Sequence, residues 1–142
     1  MAIRFYNEEC GYRLKGKRRL AAWIKECAAA EGRSVGEVAF IFCSPERHRA
    51  INLQYLGHDY NTDVITFEYE DAKGGRSLSG DIFIDPATVS ENARLFGAGR
   101  EEEMHRVMIH GIMHLCGYGD GTQEEKKTMR AKEDACLALL KE

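Results

Sequence analysis

No apolar run in this 142-residue chain is long enough to span a bilayer, which excludes a helical transmembrane protein. Residues Met1 to Cys10 lack the charged-then-apolar pattern of a signal peptide, so the expected location is the cytoplasm. The five cysteines are odd in number and include no CxxC pair, which argues against a disulfide framework. Cys10, Cys27, Cys43 and Cys136 read as reduced, mostly buried thiols, and Cys116 as a packing residue. Internal repeats, low-complexity stretches and interdomain linkers are also missing. The length fits one domain, residues 1–142, with a sizeable core. Positive charge is not in excess either. The net charge is −3, so affinity for nucleic acid would have to come from local cationic patches. Lys15, Lys17, Arg18 and Arg19 form one such group, and Arg47, His48 and Arg49 a second. Both groups read equally as ordinary solvated faces.

Periodicity divides the chain into mixed elements. Ala2 to Tyr6 alternates like a short strand, and Leu14 to Ala30 reads as an amphipathic helix ending near Gly32. Glu37 to Cys43 is an apolar strand. Ser44-Pro45 and Asp85-Pro86 each place a capping side chain before a proline, opening helices to about Leu56 and Phe96. Val64 to Tyr69 and Leu78 to Ile84 are β-rich, joined by a polar turn over Asp71 to Arg76. After the break at Gly97 to Gly99, a helix covers Arg100 to Cys116, and a last one covers roughly Gln123 to Lys141. No strict βαβ rhythm emerges. The expected class is α+β: a single-domain sandwich with a mixed sheet of about four strands and helices mainly on one face.

The chemistry concentrates in His110-Gly111-Ile112-Met113-His114-Leu115-Cys116-Gly117-Tyr118-Gly119-Asp120. Two histidines four apart share one side of a helix, about 6 Å apart along its axis, and can converge on one metal ion. Gly117 suits a left-handed helix end, after which the chain can fold back and deliver Asp120 as a third ligand. Two imidazoles and one carboxylate suit zinc, one ion per chain, and leave a position for water. Asp120 also reads as a cap for the helix from Gln123; the matching offsets favour the ligand. No catalytic group beyond the metal-bound water is assigned. His105 is the poorer alternative ligand, turned about 140° from His110.

The spacing is that of the metzincin metal helix, with Asp120 at the third ligand and Gly111 in place of the HExxH glutamate. Without that base, no side chain carries the proton from water towards a leaving amine. The metal would still bring the pKa of water to roughly 7. A phosphodiester offers a better leaving group, which a metal can assist. Peptide hydrolysis is the weaker reading.

The same segment resembles the signature of the YbeY family, HGxLHLxGYDH, in His110, Gly111, His114, Leu115, Gly117 and Tyr118. Gly119 and Asp120 stand where the family has Asp-His. Upstream, Ile51-Asn52, Tyr55 and Gly57 to Phe67 resemble the family's LNxxYRGKDxPTDVLSF, and Gly80 to Ile84 its GDIxI strand. The resemblance implies a single-strand-specific, zinc-dependent endoribonuclease acting on ribosomal RNA, in 16S rRNA 3′-end maturation and ribosome quality control. It also implies ribosomal particles as partners and a central metal helix. The family's arginine after the tyrosine is Leu56 here, so the contact it implies with RNA phosphate is missing. His58 is a candidate substitute, equally readable as an exposed loop residue; Arg47 and Arg49 are further candidate RNA contacts. Asp63 would lie near the cleft or serve as a turn residue. Two other classes stay open: a small zinc peptidase, and a non-catalytic ribosome-assembly factor with a structural metal.

Overall fold

Along one strand, Val38, Phe40 and Phe42 alternate with Ala39, Ile41 and Cys43, and the two sets enter different apolar clusters on opposite sides of a sheet. A computed structural model describes residues 2–57, 62–70 and 75–141. Its strands are β1 (Ala2–Glu8), β2 (Ser34–Cys43), β3 (Val64–Glu68) and β4 (Ser77–Ile84). Its helices are α1 (Lys17–Ala30), α2 (Pro45–Leu56), α3 (Pro86–Phe96), α4 (Arg100–Leu115) and α5 (Gln123–Leu140). The sheet order is β1-β2-β4-β3, with β1, β2 and β4 parallel and β3 antiparallel to β4 at the edge. This is the mixed four-stranded α+β arrangement expected from the sequence.

The larger cluster joins Phe40, Phe42, Ile82 and Ile84 of the sheet to Trp23 and Ile24 of α1, Val89 of α3, the apolar side of α4, and Met129 and Leu137 of α5. On the other side, Ile51 of α2 meets Ile41, Cys43 and Ile65. Helices therefore crowd one face, with α4 lying against β3 and β4. Both proline-opened helices begin as the sequence indicates. Ser44 accepts from the Arg47 amide, and Asp85 from the Ala87 and Thr88 amides. Helix α1 starts three residues later than periodicity suggests, because the chain turns through a left-handed residue at Gly16. All five cysteines are free thiols, with Cys27, Cys43 and Cys136 buried. No helix among the described residues is long and apolar enough to cross a membrane.

His48 belongs to this packing rather than to an exposed cationic patch. It is buried, its Nε2–H donates to the Phe83 carbonyl at 3.0 Å, and its Nδ1 has no partner among the described residues. Burial pulls its pKa below the ordinary value, outweighing the Phe83 carbonyl, Asp85 and Asp63. His105 is lowered for the same leading reason. Below the ordinary histidine pKa the unfolded chain binds a proton that the folded chain refuses, so stability falls as pH falls through that window. Denaturant midpoints measured between about pH 8 and about pH 5 should show this loss. The His48→Gln variant should show less of it; an equal loss in both proteins would remove His48 from the account.

Candidate metal centre

Helix α4 carries His110 and His114 one turn apart, with their rings in edge-to-face contact at 4.5 Å between centroids. After Leu115, Gly117 takes φ 103°, a value that side-chain-bearing residues rarely adopt. The reversed chain is held by Gly117 N–H donating to the His114 carbonyl and Tyr118 N–H to that of Met113. Arg33 donates to the Cys116 carbonyl at 3.2 Å, and the Tyr118 hydroxyl donates to Glu31 at 2.6 Å. Lys132 of α5 pairs with the same Glu31 carboxylate. The turn is thereby pinned between α1 and α5, and it returns Asp120 to the two histidines.

Three donor atoms converge there. His114 Nε2 lies 2.9 Å from His110 Nε2, and Asp120 Oδ2 lies 3.1 Å from His110 Nε2 and 3.5 Å from His114 Nε2. The opposite ring nitrogens are engaged. His110 Nδ1 bonds Glu133 Oε2 at 2.7 Å, and His114 Nδ1 bonds the Tyr118 carbonyl at 2.8 Å. Both partners only accept, so each Nδ1 carries a hydrogen, and in the neutral rings each Nε2 presents a lone pair. Two lone pairs and a carboxylate facing one another repel unless a cation lies among them. The donor set fits a metal ion. Burial pulls the His110 pKa down, but Glu133, Asp120 and Asp63 outweigh it and hold it above the ordinary value. Asp120 is free for this task because α5 is capped by Thr122, in a reciprocal box with Glu125.

Glu133 is the group the sequence did not reveal. It lies on α5 in the otherwise apolar stripe of Met129, Cys136, Leu137 and Leu140, and an acid at a buried position was the only signal. It binds both His110 and Arg106. Such a carboxylate fixes the ring and raises its basicity, so Glu133→Gln should weaken metal binding about 10- to 100-fold in a chelator competition. An unchanged affinity would deny Glu133 an orienting role.

Gly111 is buried with its hydrogen side against the sheet. A Cβ there would stand 2.8 Å from Ile82 Cγ2 and 3.0 Å from Cδ1. The position where metzincins keep their base is thus occupied by the packing of α4 on β4. His105 lies away from the pair, edge-on to Trp23 at 6.0 Å.

Two cavities, of about 330 and 370 Å³, share Asp63, Val64, His110 and Asp120, so the trio sits at the middle of an open groove. One arm runs between α4 and α5, the other along edge strand β3. Thr66 Oγ1 is buried in the β3 wall with no hydrogen-bond partner among the described residues. Asp63, which accepts from Asn92, therefore lies in the cleft. Arg47 is placed elsewhere: it pairs with Glu8 at 2.9 Å and lines a separate cavity with Tyr55, Phe67 and Phe83. Arg49 is exposed on α2, and His58 lies outside the described residues. Lys17, Arg18 and Arg19 are exposed at the start of α1, where Arg19 donates to the Leu140 carbonyl.

Comparison with known proteins agrees with this architecture. The family model described as Endoribonuclease YbeY matches residues 6–141. The chain belongs to the YbeY family. A YbeY relative from Bacteroides thetaiotaomicron, named Endoribonuclease YbeY, is 46% identical over 139 residues, covering 98% of this chain and 99% of the relative. A namesake from Parabacteroides distasonis is 43% identical over 142 residues, covering 100% and 98%. The solution structure of TM1509 from Thermotoga maritima superposes with a TM-score of 0.66 at 31% identity, over 98% of this chain and 89% of that one.

Proposed function

We propose that this YbeY-family chain is a cytoplasmic, single-strand-specific endoribonuclease that works with one zinc ion held by His110, His114 and Asp120. Its RNA is ribosomal, its role is rRNA processing at the 16S 3′ end and ribosome quality control, and its partners are ribosomal particles. The observation that carries the reading is the trio of facing acceptor atoms at the middle of an open groove, in a chain whose relatives are named endoribonucleases. Neutral nitrogens with one carboxylate suit zinc better than an oxygen-seeking cation. When bound, zinc supplies Lewis-acid polarisation of a phosphoryl oxygen and acidifies water towards neutrality.

The protein's own groups prepare that site. Glu133 and the Tyr118 carbonyl hold the rings so that both Nε2 atoms face inward. The turn through Gly117 brings the Asp120 carboxylate to them. Thr66 offers an unspent hydroxyl on the β3 side. Gly111 disfavours the peptidase alternative, since no carboxylate can stand there without displacing Ile82.

Purified protein should cut single-stranded RNA and leave casein intact. Thorough chelation should abolish cleavage, and added zinc should restore it. Activity that survives both chelation and His114→Ala would belong to a contaminating nuclease and leave the assembly-factor alternative ahead. Casein hydrolysis lost on chelation would favour the peptidase.

A further inference from the structure

The two arms of the groove differ in charge. Among the described residues, the arm along β3 is lined by no lysine or arginine. The arm between α4 and α5 contains three cations: Arg106, Lys126 and Arg130. Arg106 is committed, donating to Glu133 at 3.0 Å and to Asp134 at 2.8 Å. Lys126 and Arg130 are exposed, four residues apart on α5 and so on one side of it. Neither side chain has a hydrogen bond or ion pair to another described residue.

The acids of this arm are engaged in other ways. Glu133 is shared between His110 and Arg106, Asp63 accepts from Asn92, and Asp120 faces the histidines. Glu103 is buried, and burial pushes its carboxyl above the ordinary value against the opposing pull of Arg106 and Arg130. Two cations without a hydrogen bond or ion pair to another described residue thus face a cavity whose other boundary is the His110–His114–Asp120 trio. Among the described residues, a polyanion threading the groove meets lysine and arginine on this side alone.

We propose that Lys126 and Arg130 form a phosphate grip, holding the backbone of single-stranded RNA next to the phosphate at the His110–His114–Asp120 centre. The inference rests on the endoribonuclease reading. It gives a chain of net charge −3 a local cationic contact beside the His110–His114–Asp120 trio. It also makes binding one-sided, with the strand anchored between α4 and α5 and free along β3.

The test is a salt titration of RNA binding by chelator-treated protein, so that cleavage does not enter the readout. Each phosphate neutralised on a single strand contributes about 0.7 to the slope of log affinity against log salt. The Lys126→Gln, Arg130→Gln double variant should therefore show a slope shallower by roughly 1.4. The charge-preserving Lys126→Arg, Arg130→Lys variant should keep the parental slope. An unchanged slope in the glutamine variant, in a protein that still binds RNA, overturns the grip and leaves the endoribonuclease reading standing. A parent protein without salt-dependent RNA binding overturns both.

Discussion

Replacing His110 and His114 together by alanine is expected to take zinc content from about one ion per chain to background, and RNA cleavage with it. Two of the three converging donors disappear, and Asp120 alone cannot hold the ion against water. Neither histidine is a core residue, with side chains 21% and 28% exposed, so the double variant should still fold. The third donor can be weighed separately. Asp120→Ala should lose metal, while Asp120→His should keep it, because imidazole binds zinc as well and the Gly117 turn already delivers that position. Elemental analysis of the purified variants decides the matter. Full occupancy in the double variant would sink the trio. Tight zinc in Asp120→Ala would place the third ligand elsewhere.

The second large effect concerns Gly111→Glu, which writes HExxH into the chain. Sequence logic alone would expect it to create a peptidase. The packing predicts a damaged fold instead, because the new Cβ would press on Ile82 at 2.8 Å. Overpacking of this kind costs about 1–3 kcal/mol, and burying a carboxylate among apolar side chains adds to it. Denaturant unfolding should show the loss, and casein should remain uncut. Gly111→Ala separates the two costs, since it adds only the methyl group. Its loss should shrink in an Ile82→Ala background, which removes Cγ2, Cδ1 and Cγ1, the atoms the new methyl would meet. A Gly111→Glu protein of parental stability that digests casein would refute the packing argument.

Helix α4, its two histidines and the returning carboxylate were legible because their spacing is local. Four residues make one helical turn, and a glycine three residues on ends it. The same holds for the proline-opened helices, whose caps are adjacent in the chain. Asp120 was ambiguous between ligand and cap. Thr122 takes the cap two residues later, in a box with Glu125, and leaves the Asp120 carboxylate facing the two histidines.

Local spacing determined the elements, the class of the sheet and which three polar side chains the α4 turn brings face to face. Tertiary structure decided everything that joins distant segments. Glu133 reaches His110 across 23 residues, from a helix whose rotation depends on how its apolar stripe meets the core. The glycine at 111 looked like a missing base and proved to be the clearance that lets α4 lie on Ile82. Arg47 looked available to RNA and is paired with Glu8, while Lys126 and Arg130, unremarkable in an alternating charged helix, face the groove. The reason is common to all three. A side chain's type is written in the chain, but its neighbours are set when elements pack, and charge, basicity and room for substrate all depend on neighbours.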